Sequence, residues 1–169
     1  MSREHLMEKL KKREEYKPEE IRILFVGESP PKGAFFYDEA KGSNLGRATK
    51  EAFEKAFQMG FESYQEFLEF FKSQGCYLVD LFQERGKKIM CATKEEKEEA
   101  EEQLKKFIAK HRPEIVVVVL KRICKHVEKA VKEAGVAVRE VDLPFPFMHN
   151  KKNYIKGLIE ILKATTTTE

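Results

Sequence analysis

The sequence predicts an α/β fold: a three-layer α/β/α domain around a central four-stranded parallel sheet. Three observations carry this. Short apolar runs alternate with longer stretches of helical periodicity along the whole chain. The runs are nearly continuous in apolar residues, as in strands buried on both faces. Strands that alternate with helices imply right-handed crossovers and therefore a parallel sheet. A length of 169 residues fits a single domain over 1–169, able to bury a core without a disulfide or metal staple.

The elements follow in order. Residues 3–15 read as a charged amphipathic helix that ends before Pro18, within an N-terminal segment 1–18. Ile21 to Val26 is the first strand, stopped by Gly27. A loop rich in Gly, Pro and aromatics runs from Glu28 to Ser43. Leu45, Ala48, Ala52, Phe53, Ala56 and Phe57 recur at helical spacing, and Phe61 to Phe71 forms an aromatic-rich second helix that reads as core. Tyr77 to Phe82 is the second strand, followed by the basic loop Arg85-Gly86-Lys87-Lys88. Thr93 with Glu96 three residues on is a capping-box signature, and Pro113 ends the helix it opens. Ile115 to Leu120, with four consecutive valines, is the third strand. The next helix carries Ile123, Val127, Ala130 and Val131 and closes on Gly135 as a C-cap. Val136 to Val141 is the fourth strand. Asn150 is positioned to cap a last helix bearing Ile155, Leu158, Ile159 and Leu162, and 164–169 reads as a frayed tail.

Composition narrows the function classes. Thirty-two basic and 29 acidic residues leave a net charge of only +3, which is not the footprint of a general nucleic-acid coat but permits a basic rim around one groove. Lys and Glu dominate a charged fraction of 36%, a balance that points towards a thermophilic source. Three separated cysteines, Cys76, Cys91 and Cys124, offer no disulfide framework and no zinc spacing. They read as reduced thiols of a cytoplasmic protein. The charged N-terminus has no secretory pattern, and no apolar run is long enough to span a membrane.

In a parallel sheet of this kind, ligands bind beyond the carboxyl ends of the strands. Three segments should therefore share a crevice: Glu28 onward, Asp80 onward and Pro144 onward. The first loop is neither a GxGxxG dinucleotide fingerprint nor a GxxxxGK[ST] phosphate loop. Ser29 lacks the GxSxG elbow of a hydrolase nucleophile, because Pro31 stands where the last glycine belongs. No HExxH pattern supports a metal centre.

Four segments carry a family resemblance. Val26-Gly27-Glu28-Ser29-Pro30 resembles the first motif of the uracil-DNA glycosylase superfamily. Ser43-Asn44-Leu45-Gly46-Arg47-Ala48 is similar to the segment that opens the next helix in its thermophilic branch. Tyr77-Leu78-Val79-Asp80 resembles the strand ending in the family's base-reading Asn, and Pro144-Phe145-Pro146 falls where a His-Pro-Ser-Pro motif belongs. The resemblance spans about residues 21 to 163 in element order.

The resemblance implies hydrolysis of an N-glycosidic bond on a base flipped out of single- or double-stranded DNA, without metal or other cofactor. It makes Glu28 the residue that holds water or the flipped nucleotide, unless that carboxylate only ties its loop. Phe36, or its neighbours Phe35 and Tyr37, supplies the ring that stacks on the base, unless these rings line the loop's own core. Asn44 is a polar base or sugar contact, or a helix cap. His149 stabilises the departing base, or is a surface histidine. Phe145-Pro146-Phe147-Met148 is a wedge into the duplex, or ordinary packing of a stiff loop. Lys32, Arg47, Lys151 and Lys152 meet phosphates. The chain is expected to act as a monomer.

Four departures modify this. Ser29 stands where the most active branch has its water-activating Asp, and Leu143 stands where the family has its His. The thermophilic branch's four cluster-binding cysteines have no counterpart, so no iron–sulfur cluster is expected. Asp80 replaces Asn at the base-reading position. An ionised Asp has only acceptors, so it suits a base presenting adjacent donors better than uracil, whose O4 it would oppose. Alternatively Asp80 is protonated or points elsewhere. A nucleic-acid- or nucleotide-binding protein of the same fold that has lost catalysis is the second reading of the same resemblance, and an unrelated doubly wound domain that binds a small ligand is the third.

Overall fold

A computed structural model describes residues 3–166. In chain order the elements are α1 (Arg3–Glu15), β1 (Ile23–Gly27), α2 (Asn44–Phe57), α3 (Tyr64–Ser73), β2 (Cys76–Asp80), α4 (Lys94–His111), β3 (Ile115–Val118), α5 (Cys124–Ala134), β4 (Arg139–Asp142) and α6 (Asn150–Thr166). Short 3₁₀ turns lie at Ile89–Cys91 and Lys121–Ile123. The fold class is the expected one: α/β, with a four-stranded all-parallel sheet flanked by helices, consistent with a three-layer α/β/α fold.

The chain forms two compact units. One is built from Met1–Tyr16, Gly33–Phe70 and Leu143–Glu169, the other from Lys17–Lys32 and Phe71–Asp142. Neither is a contiguous stretch of sequence, which is why no linker marks a boundary.

The second unit holds the whole sheet, in the order β2-β1-β3-β4. β1 is central and buried at every position, as its run Ile23-Leu24-Phe25-Val26 requires. β3 is buried likewise. Parallel registers pair Gly27 with Asp80 and Val26 with both Val79 and Val118. Ladder pairing begins later than the apolar runs suggest. Arg22 and Ile23 both donate to the Gly75 carbonyl, so β1 starts at Ile23 rather than Ile21. β4 starts at Arg139, whose N–H donates to the Glu114 carbonyl just before β3 begins; Val136 to Val138 precede the partner strand and find no ladder. β4 is an edge strand with exposed Arg139 and Asp142, charges that discourage pairing with another sheet. The Thr93 capping box forms as predicted: Thr93 N–H donates to Glu96 Oε1 at 2.9 Å, and Glu96 N–H to Thr93 Oγ1 at 3.1 Å. Gly135 closes α5 in the left-handed conformation, at φ 67°.

In the first unit the phenylalanine stripe is core, as predicted. Phe53 and Phe67 are fully buried, with their rings edge-to-face at 5.5 Å. α2 packs on α6 through a buried Thr49–Tyr154 hydroxyl pair at 2.8 Å. Ser43, not Asn44, caps α2: its side chain accepts from Gly46 N–H at 3.0 Å. Asn150 is the first residue of α6, and residues 164–166 continue that helix instead of fraying. The rest of the expected tail, 167–169, lies outside the described residues.

Candidate functional site

The strand order fixes where a ligand crevice belongs in the sheet-bearing unit. From β1 the chain moves to β2 on one side, then crosses back over β1 to β3 on the other. The topological switch therefore lies between the carboxyl ends of β1 and β3. Glu28 follows β1 there, and the 3₁₀ turn Lys121–Ile123 follows β3.

Backbone hydrogen bonds continue past the strand ends and stiffen these loops. Leu81 N–H donates to Gly27 O at 2.8 Å, Phe82 N–H to Glu28 O at 2.9 Å and Gly86 N–H to Pro30 O at 2.9 Å. On the other side Val119 N–H donates to Val26 O at 3.1 Å. The turns after β1 and β2 are thus zipped together for several residues beyond the sheet.

Glu28 is the centre of this assembly. Its side chain is 13% exposed, and Oε2 lies 3.9 Å from Arg122 Nε. The same Oε2 accepts the Ile89 N–H at 2.9 Å, from the 3₁₀ turn after β2. Among the described residues, Oε1 accepts no hydrogen bond. One oxygen ties the loop while the other is left over, so the two roles considered for Glu28 are both open to it.

Asp80 lies beside it on β2. A methyl group built on Gly27 would sit 2.8 Å from Asp80 Oδ1, so the carboxylate reaches across to the end of β1. Gly27 is therefore needed for space, not for an unusual φ. Lys32 is held in a similar way: its side chain runs over Gly86, where a Cβ would lie 2.7 Å from Lys32 Cε and where φ is +72°.

The other predicted residues belong to the first unit. Phe35, Phe36 and Tyr37 are buried. Tyr37 stacks on Tyr16 at 5.9 Å between ring centres and takes the edges of Phe35 and Phe36 at 5.7 and 5.0 Å. The Phe36 carbonyl accepts from the Tyr64 hydroxyl. These rings line the loop's own core and offer no open face to a base in this conformation. Asn44 and Arg47 are exposed and engage each other, with Arg47 Nη2 donating to Asn44 Oδ1 at 2.6 Å and Nη1 to Lys41 O at 3.0 Å.

The turn before α6 exposes apolar side chains. Phe145, Phe147 and Met148 are 36%, 56% and 76% exposed. Met148 adopts φ +53°, and hydrogen bonds from Asn150 N–H to Phe147 O and Lys151 N–H to Met148 O close the turn. Phe147 and Met148 are thus exposed, while Pro146 in the same stretch is buried. His149, Lys151 and Lys152 are exposed beside them, with Lys151 Nζ 3.9 Å from Glu51 Oε1. Leu143, by contrast, is buried and packs on α6 at Gly157.

Arg122 and the Ile89 N–H were not singled out from the sequence. The signal for Arg122 was available: Lys121-Arg122 directly follows the four-valine strand, where the switch-point rule would have selected it once the strand order was known. Away from the site, burial and then the neighbouring Asp142 and Glu128 push the Glu140 carboxyl up to about 7. Burial also pushes the Cys76 thiol up, whereas Cys91 is exposed. Among the described residues, no three His, Cys, Asp or Glu side chains are grouped to hold a metal ion, and no helix is long and apolar enough to cross a membrane.

Compared with known proteins, the chain matches no protein-family profile and no curated sequence.

Proposed function

We propose that the chain is a DNA glycosylase of the uracil-DNA glycosylase type, which hydrolyses the N-glycosidic bond of a deaminated or damaged base. The observation that carries this is the state of Glu28. Its carboxylate is fixed through Oε2 at the switch point, with Oε1 uncommitted and Asp80 at the end of the adjacent strand. A fixed carboxylate of this kind can position water and favour the cationic sugar of an oxocarbenium-like transition state, a preorganised electrostatic effect. Water adds to C1′ as the C1′–N bond breaks. The bonding pair leaves with the base, and the water's proton passes to the carboxylate.

Asp80 reads the base in this account. Being acceptor-only when ionised, it favours a base with adjacent N–H donors and disfavours uracil by roughly 1–3 kcal/mol. The exposed Phe147-Met148 turn with Lys151 and Lys152 suits an apolar wedge between base steps with phosphate contacts at its flank. The protein acts as a cytoplasmic monomer.

The second reading is a nucleic-acid-binding member of the same type without catalysis. It is favoured by Leu143, which stands at the family's His position and is sealed against Gly157, and by Ser29 at the water-activating position. Incubation of metal-free protein with single- and double-stranded oligonucleotides carrying uracil, hypoxanthine or xanthine, followed by alkali, separates the two. Strand cleavage at an altered base is the expected result. An Asp80→Asn variant should move preference towards uracil, and unchanged preference removes Asp80 from base reading. Tight DNA binding with no cleavage on any substrate establishes the second reading instead.

A further inference from the structure

The loops at the carboxyl ends of β1, β2 and β3 carry more cations than the catalytic reading uses. Within the sheet-bearing unit, Lys32, Arg85, Lys87, Lys88, Lys121 and Arg122 stand there against three carboxylates, Glu28, Asp80 and Glu84. Along α4, in contrast, lysines are interleaved with glutamates.

The geometry gathers these cations around Glu28. Ile89, next to Lys88, donates its N–H to Glu28 Oε2, and Arg122 Nε lies 3.9 Å from the same oxygen. Arg122 Nη1 also reaches Met90 Sδ at 4.0 Å, which joins the two 3₁₀ turns. Lys32 crosses Gly86, and Gly86 N–H donates to Pro30 O. Lys87 is spent on Glu96, at 2.5 Å, and Arg122 is shared with Glu28. Among the described residues, Lys32, Arg85, Lys88 and Lys121 form no ion pair and no side-chain hydrogen bond. Lys32, Lys88 and Lys121 are exposed. Uncompensated positive charge on stiffened loops beside a recessed carboxylate attracts a polyanion and keeps its phosphates off the carboxylate itself.

We propose that Lys32, Arg85, Lys88 and Lys121 form a rim that binds the phosphodiester backbone of DNA on either side of the base presented to Glu28. This rests on the nucleic-acid reading above and assigns its strand contacts mainly to residues other than those the resemblance selects. The rim binds sequence-independently, through charge, so its signature is the salt dependence of affinity.

The test is fluorescence-anisotropy titration of labelled duplex and single-stranded oligonucleotides across a KCl series. The Lys88→Gln/Lys121→Gln double variant is compared with the unaltered chain and with Lys106→Gln/Lys110→Gln on α4, which carries the same charge change. For duplex DNA the rim variant should lower the slope of log K against log[salt] by about 1.8, and for a single strand by about 1.4. The α4 variant should leave it unchanged. An unchanged slope in the rim variant, or equal loss in both, overturns the rim. So does free mononucleotide that displaces labelled DNA as effectively as unlabelled DNA, since that assigns the cations to a small phosphate ligand. DNA bound through the rim without excision of any base leaves the rim standing and defeats the glycosylase reading. Absence of DNA binding by the unaltered chain defeats both.

Discussion

Replacing Gly27 by alanine places a methyl group against the Asp80 carboxylate, and the cost follows from the geometry. The new Cβ would lie 2.8 Å from Asp80 Oδ1, about 0.6 Å inside ordinary contact, while Val119 Cγ2 at 3.9 Å stays clear. The backbone of β1 cannot give way easily, because Gly27 O accepts from Leu81 N–H and the strand is hydrogen-bonded on both sides. Asp80 must therefore retreat from the end of β1. Overpacking of this size costs roughly 1–3 kcal/mol, and the lower backbone entropy of alanine in the unfolded chain returns part of it. The expected net loss is about 1–2 kcal/mol, read as a lower urea midpoint at unchanged m-value. In the Gly27→Ala/Asp80→Ala double variant the methyl group has room, so the two changes should couple by about 1 kcal/mol or more in the stabilising direction. A Gly27→Ala loss below about 0.5 kcal/mol, or additive effects in the cycle, would falsify the claim that Asp80 leans over the end of β1.

Gly157→Ala tests the seal at Leu143: an ordinary mid-helix Gly→Ala change gains about 1 kcal/mol, but here a Cβ would lie 2.6 Å from Leu143 Cδ2, so thermal unfolding should show a loss that Leu143→Ala relieves. Thr93→Ala removes the hydroxyl that accepts from Glu96 N–H and should cost about 1 kcal/mol by urea unfolding; no change would mean the capping box contributes nothing. Glu140 has its folded value raised from 4.5 to about 7, so its contribution to stability is fully present below about pH 4.5 and is lost as pH rises through about 7. Glu140→Gln should therefore gain about 1 kcal/mol at pH 8, after allowance for solvent screening of a partly exposed group, and nothing at pH 4; a gain independent of pH would assign the effect to something other than titration.

Much of the secondary structure was legible because its cause is local. The apolar run before Gly27 and the four valines before Leu120 specify strands, and Thr93 with Glu96 specifies a helix start, whatever surrounds them. What the sequence did not show depends on partners far away in the chain. β4 begins at Arg139 because its neighbour β3 begins at Ile115, although the apolar residues start at Val136. Asn44 and Ser43 are equally good caps by residue type, and only the hydroxyl's reach to Gly46 N–H separates them. The aromatic run Phe35-Phe36-Tyr37 looks the same whether it faces a ligand or the core, and here Tyr16 and Tyr64 draw it inward. The candidate site was half visible. Glu28 and Asp80 stand at strand ends as the alternation predicts. Arg122 emerges only when the strand order places β3 beside β1.

The central claim is that Glu28, fixed through one oxygen at the switch point, drives base excision. Single-turnover release of an altered base, with the best substrate of the oligonucleotide panel, tests it directly in the unaltered chain and in Glu28→Gln. Glutamine can still accept the Ile89 N–H, so DNA affinity should be retained, while loss of the charge that favours the oxocarbenium-like state should slow release by roughly a hundredfold or more. Release by Glu28→Gln at the unaltered rate, or no release of any base by the unaltered chain, would contradict the account.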